Sequence, residues 1–285
     1  MLTWRWRPWK DAVVSGTTPF IWVSDKYKAV YFENPKACST TVKIILKTHP
    51  NKIGYHRVAG GPDLGEYNFA RFFCYSQCDQ KIPCESPIAF ENVFKDYFKF
   101  GFVRNPYDRC ASTYKMCIRE AGLGEGGGYT EALGWAIKSY GRKKLDRSHR
   151  WLHDGLKQDA LKYGKDTPDN FKEYFHKTII QGRHDKDRMA RPLINHHWAP
   201  QIHFVPSDRV KLDFVGRFEN FEEDFRFVLN KIGFRHDDEI PKLNTTKASK
   251  YVDYFDHIDQ EKMIFFHDHY YEDFEHFNYK RSLEC

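Results

Sequence analysis

Residues 28–47 have the sequence KAVYFENPKACSTTVKIILK, and this stretch decides the predicted fold. Its first six residues form a compact run rich in β-branched and aromatic side chains, which predicts a strand at residues 28–33. The next residues contain a proline and predict a bend. Apolar residues at helical spacing then predict a helix at residues 39–47, with Ser39 or Thr40 well placed as its N-cap.

The same succession of strand, turn and helix recurs further along the chain. The second unit has a strand at residues 97–103, a turn at residues 104–108 and a helix at residues 109–120. Strands that alternate with helices imply βαβ units, so we expect an α/β fold with a mainly parallel sheet. The later predicted elements are a strand at residues 210–214 ending at Val215-Gly216-Arg217, an amphipathic helix at residues 221–232, and a last helix at about residues 259–274 whose aromatic side chains are core.

The chain has 285 residues, and we predict a single domain over residues 1–285 with residues 1–24 as an N-terminal extension. Hydrophobic residues make up 41% and charged residues 29%, which excludes a disordered or low-complexity protein. No apolar run approaches the ~18–20 residues of a membrane span, and the N-terminus lacks the apolar stretch of a secretory signal. We therefore expect a cytoplasmic protein without a transmembrane segment.

The formal net charge of +6 is mildly basic, which suggests an anionic ligand. It is too modest to indicate a nucleic-acid-binding protein, and no nucleic-acid-binding motif is present. Positive charge is concentrated at residues 138–191, which contain 15 Lys and Arg against 8 Asp and Glu. Two interpretations are open, solvated helix faces or an electrostatic cradle for an anionic acceptor. We assign residues 120–192 as a basic helical insertion that shapes an acceptor site.

The seven cysteines are an odd number, so a complete set of intramolecular disulfides would leave one over. Cys74, Cys78 and Cys84 form a cluster, but no second pair of ligands of the kind a zinc site needs is obvious nearby. We therefore predict no metal site and interpret these residues as thiols or a local disulfide.

Two predicted loops carry polar and basic residues at the carboxyl ends of strands, where open α/β sheets bind ligands. The first presents Lys36 and three hydroxyl groups at the start of a helix, without the glycines of a nucleoside triphosphate loop. The second presents Arg104 at the strand end and Ser112 within the helix, and an arginine fork suits a terminal phosphate. Two anion sites on one sheet suggest a ligand with two anionic ends. A solvated Lys36 and an Arg104 paired with Asp108 remain the structural alternatives.

These loops resemble the donor-binding motifs of sulfotransferases that use 3′-phosphoadenosine 5′-phosphosulfate (PAPS). Residues 35–41, PKACSTT, resemble the 5′-phosphosulfate loop, and residues 102–114, FVRNPYDRCASTY, resemble the 3′-phosphate motif. Over about residues 25–280 the chain is similar to the carbohydrate sulfotransferases that modify chondroitin and related glycans, and to their bacterial relatives. The downstream motifs that carry this similarity are His197-Trp198, FVGRFE at 214–219, EEDF at 222–225, and Phe274 with FNY at 277–279.

The resemblance implies a P-loop-kinase-like fold, with a central parallel sheet flanked by helices, and transfer of a sulfuryl group from PAPS to a carbohydrate hydroxyl. It implies that Lys36 contacts the 5′-phosphate and the bridging oxygen, that 3′-phosphoadenosine 5′-phosphate (PAP) is the product, and that no metal is required. The donor-binding residues it implies are Pro35, Lys36, Ala37, Cys38, Ser39, Thr40, Thr41, Arg104, Ser112, Lys247 and Ser249.

An acceptor hydroxyl needs a general base, and several residues are candidates for that role. His56 lies where this class often places its base, His197 is the second candidate, and Glu33 beside the loop is the third. Arg109 is expected to form a structural ion pair within its turn.

The similarity has two departures from the secretory-pathway relatives, which have a membrane anchor and a cysteine pair. No cysteine lies between Trp198 and Val215, and both departures favour a soluble cytoplasmic enzyme. The acceptor is expected to be a carbohydrate, with an acidic oligosaccharide or a glycolipid among the candidates and neutral sugars still open. A nucleotide-dependent kinase and a non-catalytic glycan-binding or PAP-binding protein are the alternative functions.

Overall fold

The computed structural model describes residues 20–46, 70–72, 87–122, 167–176, 197, 199–236, 239–240 and 251–283. Within these residues the strands form a single five-stranded sheet. They are β1 (Phe20–Ser24), β2 (Ala29–Glu33), β3 (Ala70–Phe72), β4 (Phe98–Val103) and β5 (Phe214–Arg217), and their order across the sheet is β3-β1-β2-β4-β5.

The sheet has a parallel part and an antiparallel part. β2 pairs with β4 and β4 pairs with β5 in parallel, so this part of the α/β prediction is confirmed. β1 pairs antiparallel with both β2 and β3, so the expectation of a mainly parallel sheet is wrong for this side. The reason is the tight turn at residues 25–28, because so short a connection can only join antiparallel neighbours. Sequence patterns also missed β1, which lies inside the predicted extension at residues 1–24.

The described part of the chain also contains eight α-helices, which pack around the sheet. They are α1 (Ser39–Ile45), α2 (Pro87–Val93), α3 (Pro106–Gly122), α4 (Pro168–Phe175), α5 (Phe221–Lys231), α6 (Tyr251–Phe255), α7 (Gln260–His269) and α8 (Tyr271–His276), with short 3-10 helices at Gln201–His203 and Phe218–Asn220.

Four predicted boundaries are wrong. Helix α3 begins at Pro106, within the predicted turn, rather than at Arg109. The N-cap of α1 is Cys38, in a left-handed conformation, rather than Ser39 or Thr40. β5 begins at Phe214 because the backbone N–H of Val210 turns back to Pro206 (2.9 Å). The last predicted helix is two helices, because at Tyr270 the backbone leaves the helical range (φ −104°, ψ 21°).

Apolar side chains bury both faces of the central strands. On one face, β2 and β4 pack against α1 and α5, and Tyr31 and Phe100 stack with ring centroids 5.3 Å apart. On the other face, Phe32 packs against Phe90 of α2. A separate aromatic cluster joins α3, α4, α6, α7 and α8. It confirms the core prediction for most aromatics of the last predicted helix, whereas Tyr271 is exposed. No helix in the described part of the chain has the length and apolar character needed to cross a membrane.

The parallel pairing determines where a ligand site can form. β2, β4 and β5 run in the same direction, so their carboxyl ends lie at one edge of the sheet. The segments that follow Glu33, Val103 and Arg217 therefore converge at that edge, as is usual for ligand sites of open α/β sheets.

We predict that Gly216→Ala destabilises the sheet at this edge. Gly216 is the register partner of Phe102, and a Cβ at position 216 would lie 2.6 Å from Cδ1 of that ring. Overpacking of this kind typically costs about 1–3 kcal/mol in the free energy of unfolding, measured by urea denaturation. Gly101→Ala is the matched control, because its Cβ would meet two methyl groups of Val205 at 3.0 Å. The prediction would be contradicted if Gly216→Ala lowered the free energy of unfolding less than Gly101→Ala does.

Candidate active site at the carboxyl edge of the sheet

The loop that follows β2 has an unusual backbone. Lys36 and Cys38 have positive φ angles of 69° and 59°, a region that residues with a side chain seldom adopt. Each such residue costs on the order of 1 kcal/mol, and such strain clusters at functional sites. The surrounding structure holds the loop in place, because the carbonyl of Pro35 accepts a hydrogen bond from the buried Arg109 and Ala37 is fully buried in the core.

The side chains of the loop differ in their access to solvent. Lys36, Cys38 and Ser39 are half-buried and Thr40 is exposed, whereas Pro35, Ala37 and Thr41 are buried. The accessible members of the predicted donor loop therefore supply one cation, two hydroxyl groups and one thiol. Burial raises the pKa of the Cys38 thiol to about 12, so the thiol stays neutral and brings no negative charge into the loop.

Arg104, the first residue after β4, lies against this loop. Its Nη1 donates to the carbonyl of Lys36 (3.1 Å), its Nε donates to Oδ2 of Asp108 (2.8 Å), and its guanidinium carbon lies 3.7 Å from the ring centroid of Phe218. The ion pair between Arg104 and Asp108, which the sequence analysis left as an alternative, is therefore present. The contact with Lys36 joins the two predicted anion loops directly. Ser112 follows Asp108 by one helical turn, so it lies on the same face of α3.

The side-chain amide of Gln201 connects the two loops through hydrogen bonds. Its Oε1 accepts from Nδ2 of Asn34 (2.8 Å) and from the backbone N–H of Arg104 (2.9 Å), and its Nε2 donates to the carbonyl of Arg104 (2.7 Å). Both Gln201 and Asn34 are fully buried. Sequence reasoning missed Gln201. The one available signal was a glutamine beside the apolar residues that follow His197-Trp198.

Two buried charged residues support this arrangement. Asp273 of α8 accepts from the backbone N–H groups of Gln201 (2.8 Å) and Ile202 (3.0 Å), and burial raises its pKa to about 6. Arg109 of α3 donates to the carbonyls of Pro35 (3.0 Å) and Ala199 (2.9 Å), and burial lowers its pKa. Arg109 was expected to form an ion pair within its turn, and in that turn the structure describes an ion pair between Arg104 and Asp108. The role of Arg109 is to hold residues 199–201 against the Pro35 end of the loop.

The segment after β5 completes the edge. Oε1 of Glu219 accepts from the backbone N–H of Asn105 (2.7 Å), and Oε2 accepts from the hydroxyl of Tyr279 (3.1 Å). Nη2 of Arg217 donates to the carbonyl of Phe277 (2.6 Å). Two motifs of the resemblance, FVGRFE and FNY, are therefore in contact although about sixty residues separate them in the sequence.

The candidate bases lie in different situations. The backbone carbonyl of His197 accepts from Oγ1 of Thr113 (3.3 Å), which places this residue beside α3 and two residues from the Ala199 contact. Glu33 is buried, and its carboxylate accepts from Nζ of Lys43 (2.7 Å) and Nε1 of Trp22 (2.8 Å), so its two oxygens are already engaged. This geometry argues against Glu33 as the base, because both of its oxygens already accept hydrogen bonds.

Several predictions fall outside the described residues and stay predictions. They concern His56, Lys247, Ser249, the cluster Cys74, Cys78 and Cys84, and most of the basic segment 120–192. Among the residues that the structure describes, no group of three or more His, Cys, Asp or Glu side chains is placed to hold a metal ion.

Comparison with known proteins identifies one family over most of the chain. The model of the sulfotransferase family matches residues 19–280. The curated relatives include carbohydrate sulfotransferase 11 of Rattus norvegicus, which is 27% identical over 188 residues, or 65% of this chain and 47% of that relative. They also include carbohydrate sulfotransferase 9 of Homo sapiens, 25% identical over 274 residues, or 92% of this chain and 54% of that relative. This chain thus spans about half the length of these relatives. No solved structure gives a significant match.

We predict that Asp273 makes stability depend on pH between 5 and 7. Its native pKa of about 6 lies above the ordinary value of 3.8, so the folded state binds the proton more tightly than the unfolded state. Its contribution is therefore largest at low pH and is lost as the pH rises through 6. Between pH 7 and pH 5, urea unfolding should show wild type gaining about 1 kcal/mol relative to Asp273→Asn. A difference between the two proteins that is the same at both pH values would refute this.

Proposed function

This chain belongs to the sulfotransferase family, and we propose that it transfers a sulfuryl group from PAPS to a hydroxyl group of a carbohydrate. The observation that carries the proposal is the hydrogen bond between Nη1 of Arg104 and the carbonyl of Lys36. It brings together two basic loops that resemble the two halves of a PAPS site. PAPS carries its anionic groups at both ends of one nucleoside, so it is a ligand that two neighbouring anion sites would hold.

In this proposal the loop after β2 binds the phosphosulfate end of the donor. Lys36 supplies the cation, and the accessible hydroxyl groups of Ser39 and Thr40 supply hydrogen-bond donors. Pro35 and Ala37 act through the shape they give the backbone, because their side chains are buried. Thr41 is also buried, so its hydroxyl would serve the start of α1 more directly than the ligand.

Arg104 and Ser112 bind the 3′-phosphate end. The guanidinium of Arg104 is already oriented by Asp108 and Phe218 before any ligand arrives. Among the described residues its Nη2 makes no hydrogen bond to protein, so this donor is available for a phosphate oxygen. A side chain ordered in advance loses little conformational entropy on binding, which favours affinity.

The reaction is an in-line displacement at sulfur. The acceptor oxygen forms a bond to sulfur while the bond from sulfur to the 5′-phosphate oxygen breaks, and the electron pair stays with PAP. The ammonium group of Lys36 stabilises the negative charge that develops on that oxygen, in the way that phosphoryl transfer is stabilised. A general base takes the hydroxyl proton, and His197 and His56 are the proposed candidates. Because the sulfuryl group carries less charge than a phosphoryl group, we propose that no metal ion is required.

The remaining parts of the proposal rest on the sequence and the family. The parallel centre of the sheet supports assignment of the fold as P-loop-kinase-like. The names of the curated relatives support a carbohydrate acceptor. The basic character of residues 138–191 supports an acidic oligosaccharide, with a glycolipid as the alternative. The cytoplasmic location stays a prediction.

The donor proposal predicts that PAP binds without metal and depends on Arg104. Isothermal titration calorimetry should show PAP binding that magnesium does not alter. Arg104→Ala should weaken that binding about 10- to 100-fold, because a charge-assisted hydrogen bond to phosphate is lost. Arg226→Ala is the control, since Arg226 is an exposed arginine of α5 paired with Glu222. Binding of ATP with magnesium but not of PAP would instead favour a kinase.

The mechanism predicts that Lys36→Ala lowers turnover far more than it lowers PAP affinity. Loss of charge stabilisation on the leaving oxygen should reduce kcat by about 10²–10³, while the Kd for PAP changes less than about tenfold. Sulfate transfer to a glycan acceptor and PAP titration measure the two quantities. Lys231→Ala is the control, because Lys231 ends α5 at the opposite edge of the sheet. Full activity in Lys36→Ala would show that the assigned role is wrong.

A further inference from the structure

We infer that Gln201 is a positioning residue that sets the register between the two donor loops, so that one ligand can bridge them. This inference rests on the proposed function, because it concerns a ligand with an anionic group at each end. It assigns to Gln201 no contact with the donor itself. The residue would act through Arg104 and Asn34.

The sheet itself cannot set this register. The parallel ladder between β2 and β4 ends at the pair Phe32 and Gly101, before either loop begins. Beyond that pair, the side-chain amide of Gln201 takes over the role of a neighbouring strand. It accepts from the N–H of Arg104 and donates to its carbonyl, as a peptide group of a strand would do.

The same amide also reaches the other loop. Its Oε1 accepts from Nδ2 of Asn34, the residue that directly follows β2. Nδ2 of Asn34 donates in addition to the carbonyl of Phe102 in β4 (3.0 Å). A single buried side chain thus connects Asn34, which directly precedes the phosphosulfate loop, with the backbone of Arg104, the first residue after β4.

Gln201 is itself held in place by the backbone around it. Its N–H donates to Asp273, and its carbonyl accepts from the N–H groups of Phe204 (2.9 Å) and Val205 (2.8 Å). With the side chain fully buried, no water competes for the amide. The side-chain amide of Gln201 therefore moves together with the 3-10 helix Gln201–His203. A small displacement of that helix would shift both loops.

Other side chains at position 201 do not meet these demands. Asparagine keeps the amide but is one methylene shorter, so it cannot reach both Asn34 and Arg104. Glutamate keeps the length and the two acceptor contacts, but when ionised it opposes the carbonyl of Arg104 instead of donating to it. Gln201→Asn keeps a neutral amide in the buried site, so it disturbs the register more than the core, whereas Gln201→Glu also introduces a buried charge.

The test compares ligands that span both loops with ligands that reach only one. PAP has phosphates at the 3′ and 5′ positions, whereas adenosine 3′-phosphate and adenosine 5′-phosphate each have one. In Gln201→Asn and Gln201→Glu, calorimetry should show PAP binding weakened about 10- to 100-fold, while each monophosphate changes less than about threefold. When the two loops are misplaced relative to each other, only a ligand that must contact both of them loses affinity. Should Gln201→Glu fail to fold because of its buried carboxylate, the neutral Gln201→Asn still gives the comparison.

The control is Asp213→Asn. Oδ2 of Asp213 accepts from the backbone N–H of Lys99 (2.7 Å), so this side chain joins β4 to the residue before β5, at the opposite edge of the sheet. For Asp213→Asn, the ratio of PAP affinity to monophosphate affinity should equal that of wild type. Equal weakening of all three ligands in the Gln201 variants, or no weakening of PAP, would overturn the inference. Failure of wild type to bind PAP at all would remove the proposed function first, and the inference with it.

Discussion

The hydrogen bonds of the Gln201 amide are the constraint on which the carboxyl edge of the sheet depends. A parallel sheet satisfies its backbone groups only as far as its ladder extends, and here the ladder between β2 and β4 ends one residue before the first loop. The N–H and carbonyl of Arg104 would otherwise be left without partners near a dry interior, at a cost of about 1–3 kcal/mol for each unsatisfied group. Because Gln201 satisfies both, the backbone of Arg104 stays beside Asn34, and its guanidinium can reach the carbonyl of Lys36.

Two opposite charges lie beneath that edge, and each is stabilised partly by the other. Burial alone raises the pKa of Asp273 and lowers that of Arg109, and the attraction between them opposes both shifts. Each also performs a separate structural task, since Asp273 orients the 3-10 helix and Arg109 joins Pro35 to Ala199. Removal of either would leave the other buried charge without compensation, which is commonly more damaging than loss of the pair.

Local sequence patterns predicted much of the fold because strands and helices follow local periodicity. β2, β4 and α5 lie within one residue of their predicted bounds. β1 was missed because it lies in the segment assigned to an extension, and its pairing is a matter of tertiary contact. The two proposed donor loops were predicted because Lys36 and Arg104 come within three residues of the ends of strands. Gln201 and Asp273 were not, because a glutamine beside a few apolar residues and an aspartate in an acidic helix have no local periodicity that shows they are buried.

The two interpretations of Arg104, an ion pair with Asp108 and a ligand for phosphate, are compatible. An isolated surface arginine must give up side-chain freedom when it binds, but Arg104 has already lost that freedom on folding. Asp108 accepts from Nε, the Lys36 carbonyl accepts from Nη1, and Phe218 covers one face of the guanidinium. These contacts fix the direction of the remaining edge of the guanidinium, which carries Nη2. The ion pair with Asp108, which by itself suggests a purely structural residue, therefore also orients Arg104 for its proposed role in binding phosphate.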